Sequence, residues 1–220
     1  IRTVKVPVIF DAETAASLVR SVASAASGPS LYRRASFLLD RLGTKIAAPG
    51  VTIVDDALIR GGLGSRPFDG EGLAAGRTVL VRDGVLESYL LDTYSARKLG
   101  MKSTHHAARD GSGVAVSTSN LMLLPGTAKP ADLIASVESG FYVTELIGFG
   151  VNGVTGDYSR GAVGLWIENG ELAYPVEEVT VAGNLIEMFA AIDGVGDDLV
   201  LRNRTASPTL KIGRMVVAGT

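Results

Sequence analysis

The chain of 220 residues is 46% apolar and 20% charged, with a mean hydropathy of +0.28. This composition excludes an intrinsically disordered protein and allows a large core. Its net charge of −2 disfavours a basic nucleic-acid-binding surface or a polybasic membrane anchor. The absence of cysteine excludes disulfides, thiolate metal sites and cysteine nucleophiles. No stretch reaches the ~18 uncharged apolar residues of a membrane span.

The chain begins with a predicted strand and a predicted helix. Residues 4–10 are β-rich, and Pro7 indicates an edge strand or the lead-in to one. Asp11 is a suitable N-cap for the apolar and alanine residues that recur at helical spacing after it. We therefore expect a helix over residues 12–27, which Gly28 can end in the left-handed conformation.

Two hairpin signals follow. Asp83-Gly84 lies between apolar runs at 78–82 and 85–91, and Asn169-Gly170 lies between runs at 162–168 and 171–174. An Asx-Gly pair between apolar runs is the strongest short-range hairpin signal. Other predicted elements are strands at 51–54, 114–117, 121–124, 141–149 and 176–181, loops at 60–77 and 102–113, helices at 130–138 and 184–192, and extended segments at 199–202 and 210–217.

Hairpins outnumber alternating β-α units, which predicts an α+β, mostly antiparallel β domain with eight to eleven strands and about three helices. No repeat or linker divides the chain, so we expect a single domain over residues 1–220. The opening IRTVKVPVIF has neither an initiator Met nor the layout of a signal peptide. We expect the chain to be an excised domain of a longer protein.

Few residues suggest chemistry directly. His105 and His106 are the only histidines, and a metal site there would need Asp110 or a distant carboxylate as a further ligand. Adjacent side chains on a strand point to opposite sides, so we favour a polar loop tip. The acidic pairs Asp55-Asp56, Glu177-Glu178 and Asp197-Asp198 have ordinary turn or strand-edge explanations. Neither a G-x-S-x-G nucleophile elbow nor a Walker or G-x-G-x-x-G pattern occurs in the context it requires.

The densest polar cluster is NGVTGDYSR at residues 152–160. Arg160 can pair with Asp157 or with a ligand carboxylate. Such a loop holds a peptide, or it is a self-satisfied turn network. The candidate peptide-binding residues are Asn152, Thr155, Asp157, Ser159 and Arg160.

The stretch GFGVNGVTGDYSRGAVGLWIENGELAYPVEEVTVAGNL at 148–185 resembles the C-terminal domain of the TldD/PmbA family, and its PmbA (TldE) branch in particular. Supporting stretches are PFDGEG (67–72), VLESYLLDTYSARKLG (85–100), SNLMLLPG (119–126) and PTLKIGRMVVAG (208–219). The resemblance implies antiparallel sheets around a barrel-like core, with the family's N-terminal domain absent here. It also implies a cytoplasmic, two-subunit protease for unfolded or extended peptides; an older family name is modulator of DNA gyrase.

In the TldD branch, a helical H-E-x-x-x-H motif and a late cysteine hold zinc. The resemblance places Val19 and Ser24 at the histidine positions of this motif and Arg20 at the glutamate position. Valine cannot ligate zinc, serine is a poor neutral ligand, and arginine is a permanent cation that cannot act as a base. We therefore expect no catalytic residue and no metal ligand in this chain, with zinc only in a TldD-type partner.

The leading hypothesis is a non-catalytic subunit that pairs with a TldD-like subunit or with itself. Extended peptides would add to an exposed strand edge through main-chain hydrogen bonds. One alternative is a metallopeptidase-family enzyme with a separate site around His105 and His106. Another is a gyrase- or nucleic-acid-associated regulator, which the charge balance disfavours.

Overall fold

A computed structural model describes residues 2–111 and 113–219, apart from the side chain of Asp110. The strands are β1 (Val4–Phe10), β2 (Ile53–Asp56), β3 (Arg77–Arg82), β4 (Val85–Leu86), β5 (Ala107–Asp110), β6 (Gly113–Val116), β7 (Leu121–Leu123), β8 (Ser139–Ile147), β9 (Asp157–Glu168), β10 (Glu171–Asn184), β11 (Ile192–Val195), β12 (Thr205–Ala206) and β13 (Leu210–Ala218). The helices are α1 (Ala12–Ala25), α2 (Gly28–Tyr32), α3 (Thr93–Leu99), α4 (Pro130–Ala135) and α5 (Leu185–Ala190).

Five strands close into a barrel. β1 pairs in parallel with β8 and antiparallel with β13. The antiparallel pairs β8–β9, β9–β10 and β10–β13 complete the ring, and β11 adds to β13 outside it. Closure leaves the ring without an open edge. The predicted α+β class, with mostly antiparallel sheets and a barrel-like core, is confirmed.

The position of β1 differs from the prediction for residues 4–10. β1 is not an edge strand, because it has a partner on both sides. The register with β13 shifts between Val6 and Val8, where Pro7 alone faces Gly213 and Arg214 of β13. The regular ladder is interrupted at this point, so the missing N–H of proline costs little there.

A second sheet has the order β12-β7-β2-β3-β4, and β5 and β6 form a separate hairpin. Both predicted Asx-Gly turns are present. Asp83 and Gly84 have φ of 48° and 81°, and Asn169 and Gly170 have φ of 52° and 82°. Positive φ at both central residues is the type I′ geometry that matches the twist of the flanking strands.

The described residues form two more helices than the three predicted. α1, α4 and α5 lie where helices were expected, whereas α2 and α3 were not predicted. α3 has a capping box, in which Asp92 and Ser95 each bond the backbone N–H of the other, and Gly100 ends it at φ 66°. These are the usual start and stop signals of a helix. Its seven residues are too few to show an apolar period.

One hydrophobic cluster joins the barrel, the second sheet and α1. Leu18, Val19 and Val22 of α1 are buried in it, together with Phe10 of β1 and Leu80 of β3. α1 is therefore packed between the two sheets, and its other face is left for the surface. No helix in the part of the chain that the structure describes is long and apolar enough to cross a membrane.

The close approach of β8 and β9 gives a test of the barrel. A Cβ at Gly164 of β9 would overlap the backbone carbonyl of Tyr142 in β8, whereas a Cβ at Gly76 would meet no atom within 4 Å. We expect Gly164→Ala to lower the free energy of unfolding by about 1–3 kcal/mol, because a backbone cannot yield as a flexible side chain does. Gly76→Ala should stay within about 1 kcal/mol of the parent. Urea unfolding measures both, and equal effects would contradict the packing.

Candidate functional site

The exposed face of α1 borders three neighbouring cavities, of about 720, 290 and 260 Å³. Arg20 lines all three, and Ser24 lines the second and third. We call these cavities together the α1 groove. The α1 groove is a concave surface of the kind that binds ligands, and two of the residues at the predicted motif positions, Arg20 and Ser24, line it.

Each cavity has a different opposite wall. Thr205 and Ala206 of β12 line the first cavity, and β12 is the outermost strand of the second sheet. Ser117 and Thr118, which follow β6, line the second. An edge strand offers main-chain hydrogen bonds to another extended segment, so the first cavity can accept one. Sequence reasoning missed β12, since a two-residue strand carries no periodic signal.

The third cavity brings two predicted features together. Val151 and Gly153, from the loop between β8 and β9, face Arg20 and Ser24 of α1 across it. The predicted peptide-binding residues Asn152, Thr155, Asp157, Ser159 and Arg160 lie beside this wall but do not line the cavities. The loop before β9 and the exposed face of α1 therefore border one groove.

The three residues at the motif positions do not share one face of α1. Val19 has no exposed surface and belongs to the core, while Arg20 and Ser24 are exposed. Arg20 and Ser24 are four residues apart, so they point the same way. Val19 therefore presents no atom to the α1 groove. A guanidinium and a hydroxyl do not fit zinc, which takes about three ligands from imidazole, thiolate or carboxylate.

The two histidines have different surroundings. His106 is 2% exposed, with its Nε2 3.1 Å from Asp55 Oδ2 and its Nδ1 2.9 Å from Thr104 Oγ1. Ser119 donates to Asp55 from its backbone N–H at 2.9 Å and from its hydroxyl at 2.5 Å. Asp55 thus stands between the serine and the histidine, so the imidazole does not contact the hydroxyl as it does in a Ser-His-Asp triad.

This network joins β2 to the segments before β5 and before β7. His105 is exposed with φ 62° and does not share the network. The side chain of Asp110, the third ligand considered from sequence, is outside the described residues. Among the residues that are described, no group of three His, Asp or Glu side chains is placed to hold a metal. Sequence reasoning gave Asp55 an ordinary turn or strand-edge explanation and did not single out Ser119, because only tertiary structure brings the two together.

The network predicts that the same substitution destabilises the protein at position 106 and has little effect at position 105. His106→Asn leaves the buried Asp55 without its imidazole partner, so we expect it to lower the free energy of unfolding by about 2–4 kcal/mol. His105→Asn should be close to neutral, because asparagine tolerates positive φ. Urea unfolding and metal analysis of both variants check this. If His105→Asn were the damaging change, or if either one removed a stoichiometric metal, a metal role would replace the structural one.

The loop from Asn152 to Asp157 satisfies many of its own polar groups. The Asn152 side chain accepts from the N–H of Val154 at 2.9 Å and of Thr155 at 3.3 Å. Thr155 donates its hydroxyl to Asp157 at 2.6 Å, and the Asn184 amide reaches Asp157 at 3.3 Å. These two hydrogen bonds lower the pKa of Asp157, the one from Thr155 most strongly. The loop is held in one shape without a ligand.

Arg160 makes a different contact from the one considered in the sequence. Its Nη2 donates to the Leu146 carbonyl at 3.1 Å, and no ion pair with Asp157 occurs among the described residues. Beside it, the Tyr158 hydroxyl is buried and has no hydrogen-bond partner in the described residues. Burial raises the pKa of Tyr158, against the smaller opposing effect of the Arg160 charge.

Tyr158 gives a prediction on pH. Its folded pKa is raised above the unfolded value of ~10, so its neutral form favours folding below that pH, and this contribution is lost as pH rises above it. Tyr158→Phe cannot ionise, so the variant should lack this part of the alkaline destabilisation. At neutral pH it should be about 1 kcal/mol more stable, because an unpaired buried hydroxyl is removed.

Urea unfolding at pH ~7 and pH ~10.5, on either side of the ordinary tyrosine pKa, measures both effects. The control is Tyr94→Phe, since Tyr94 is 46% exposed and its hydroxyl reaches solvent. A Tyr158→Phe variant that is less stable at neutral pH would show that the hydroxyl has a partner.

Comparison with known proteins gives the class of the fold. Residues 3–219 match the family described as PmbA/TldA metallopeptidase C-terminal domain. The chain is 42% identical to metalloprotease PmbA of Escherichia coli O157:H7 over 217 residues, which are 99% of this chain and 46% of that protein. It therefore spans about half the length of such relatives. Proteins named TldD homologues are also related, at 28 to 29% identity.

Two solved structures have the same fold. A candidate modulator of DNA gyrase from Bacteroides thetaiotaomicron superposes with a TM-score of 0.91 at 34% identity, covering 100% of this chain and 48% of that one. TldE from Thermococcus kodakarensis superposes with a TM-score of 0.90 at 26% identity, covering 100% and 51%. The fold formed by the barrel, the second sheet and their helices is thus that of the family described as PmbA/TldA metallopeptidase C-terminal domain. The chain belongs to the PmbA/TldA family.

Proposed function

We propose that this chain is the non-catalytic, PmbA/TldE-type subunit of a TldD/TldE-like metalloprotease, and that residues 1–220 form one C-terminal-type domain within it. The observation that carries the proposal is the α1 groove, which is concave but presents Arg20 and Ser24 where zinc would need ligands. Arg20 cannot take a proton from water and repels a divalent cation. The groove suits binding, and the cleavage belongs to a zinc-bearing partner.

The proposed ligand is an extended or unfolded peptide. The edge of β12 in the first cavity can pair with such a chain through main-chain hydrogen bonds. The loop wall at Val151 and Gly153 continues the groove. The candidate residues next to that wall, from Asn152 to Arg160, would contact peptide that extends beyond the groove.

The proposed partner is a TldD-like subunit, with self-association as the second form, in the cytoplasm. An apolar loop supports association, because Ile147, Phe149 and Val154 are 54%, 109% and 56% exposed. Contiguous exposed apolar side chains commonly mark protein contacts. In such a complex the groove would form part of an enclosed chamber, and zinc would be held by the partner.

Two other functions compete with this proposal. An enzyme acting through His105 and His106 would have to use a histidine whose ring nitrogens both already have partners. A gyrase- or nucleic-acid-associated regulator accords with the description of one structural relative. The net charge of −2 gives it no electrostatic support.

Metal content and peptide cleavage test the proposal. The purified protein, a TldD-type partner and their mixture are each assayed for bound zinc and for cleavage of an unstructured peptide. We expect neither zinc nor cleavage from this protein alone, and cleavage by the mixture with zinc in proportion to the partner only. Stoichiometric zinc or robust cleavage in the protein alone would overturn the proposal, and a chelator control confirms that the observed cleavage needs the metal.

A further inference from the structure

Arg20 is the charged centre of the α1 groove. Among the described residues that line the second and third cavities, it is the only charged one. The first cavity also has Arg202, and two acids, Glu13 and Asp198. Asp198 is already engaged, since it accepts from the Thr209 N–H at 2.9 Å and from its hydroxyl at 2.7 Å. Charges of both signs thus line the first cavity, whereas the described lining of the second and third cavities carries only the positive charge of Arg20.

The guanidinium of Arg20 makes no ion pair and no hydrogen bond with any residue that the structure describes. The arginine therefore has no visible role in holding the fold together. Ser24, one helical turn later, adds an exposed hydroxyl on the same side. An unpaired planar donor set in a concave surface matches a two-oxygen anion.

We propose that Arg20 binds a carboxylate of an extended peptide that lies along the α1 groove. This inference rests on the proposed function, which places a peptide there. The carboxylate is the free C-terminus of the peptide or an Asp or Glu side chain, since an unmodified peptide carries no other anion at neutral pH. Concave walls partly exclude water, which strengthens the attraction relative to that of an arginine on a convex surface.

The chemistry assigns Arg20 a role in specificity. A neutral peptide can still pair with β12 through its main chain, because those hydrogen bonds do not depend on charge. A peptide with a carboxylate near Arg20 gains a charge-assisted bond in addition. The α1 groove therefore selects among extended chains by the position of their negative charge.

Peptide binding to the natural full-length protein tests this directly, without a partner and without cleavage. Fluorescently labelled peptides of one sequence carry a free C-terminus, an amidated C-terminus, or an amidated C-terminus with one internal Asn→Asp change. Anisotropy titrations give the three dissociation constants. We expect at least one carboxylate form to bind about ten- to a hundredfold more tightly than the neutral form, as charge-assisted hydrogen bonds do. The form that gains identifies the source of the carboxylate.

Substitutions at Arg20 then locate the effect. Arg20→Gln should remove the preference while leaving the affinity for the neutral peptide unchanged, and Arg20→Lys should keep part of it because the charge remains without the planar fork. Arg41→Gln is the matched control, since Arg41 is exposed and lines none of the three cavities. Thermal unfolding of each variant shows that the fold is kept.

The outcomes separate this inference from the proposed function. No preference in the parent protein, a preference that survives Arg20→Gln, or no peptide binding at all would each overturn the role of Arg20. None of these results would show that this protein alone binds zinc or cleaves peptides, so the proposed non-catalytic role would still stand. Zinc and cleavage in this protein alone would instead overturn the proposed function, whatever Arg20 binds.

Discussion

The pairing of β1 with both β8 and β13 is the constraint on which the rest of the structure depends. Without it the barrel would be an open sheet with two long edges. A single residue, Asp11, separates β1 from α1. Its N–H donates to the Val143 carbonyl at 3.3 Å, and its carboxylate accepts from the Thr14 N–H at 2.7 Å. Barrel closure therefore also sets where α1 begins and which way its exposed face turns.

The two faces of α1 have different roles, since one packs in the core and the other lines the α1 groove. Its inner face carries Leu18, Val19 and Val22, whose packing joins the barrel to the second sheet. Its outer face contributes Glu13, Arg20 and several small residues to the groove, and the exposed Arg20 and Ser24 take no part in that packing. Chemistry on the outer face can therefore change while the fold is kept, which is the physical basis of the proposal that this chain has kept the domain without its metal ligands.

Local signals explain what the sequence could predict. The type I′ turns at Asp83-Gly84 and Asn169-Gly170, the helix after Asp11 and the antiparallel class all follow from short-range patterns. The predictions that failed depend on non-local contacts. Pro7, for example, indicates an edge strand, and only the pairing of β1 with both β8 and β13 shows that it is not one. Likewise, the buried network depends on residues that are far apart in the chain. Asp55 lies 51 positions from His106 and 64 positions from Ser119.

The α1 groove could be predicted only in part, because its shape and its charge have separate origins. The resemblance pointed to Arg20 and Ser24, but not to the β12 wall or to the burial of Val19. With the walls in place, the chemical difference between zinc and arginine becomes clear. Both attract the oxygen atoms of a peptide, but only zinc lowers the pKa of a bound water enough to make a nucleophile at neutral pH. Under the proposed function, a groove with a guanidinium at its centre therefore keeps the attraction that positions a peptide and loses the step that cuts it.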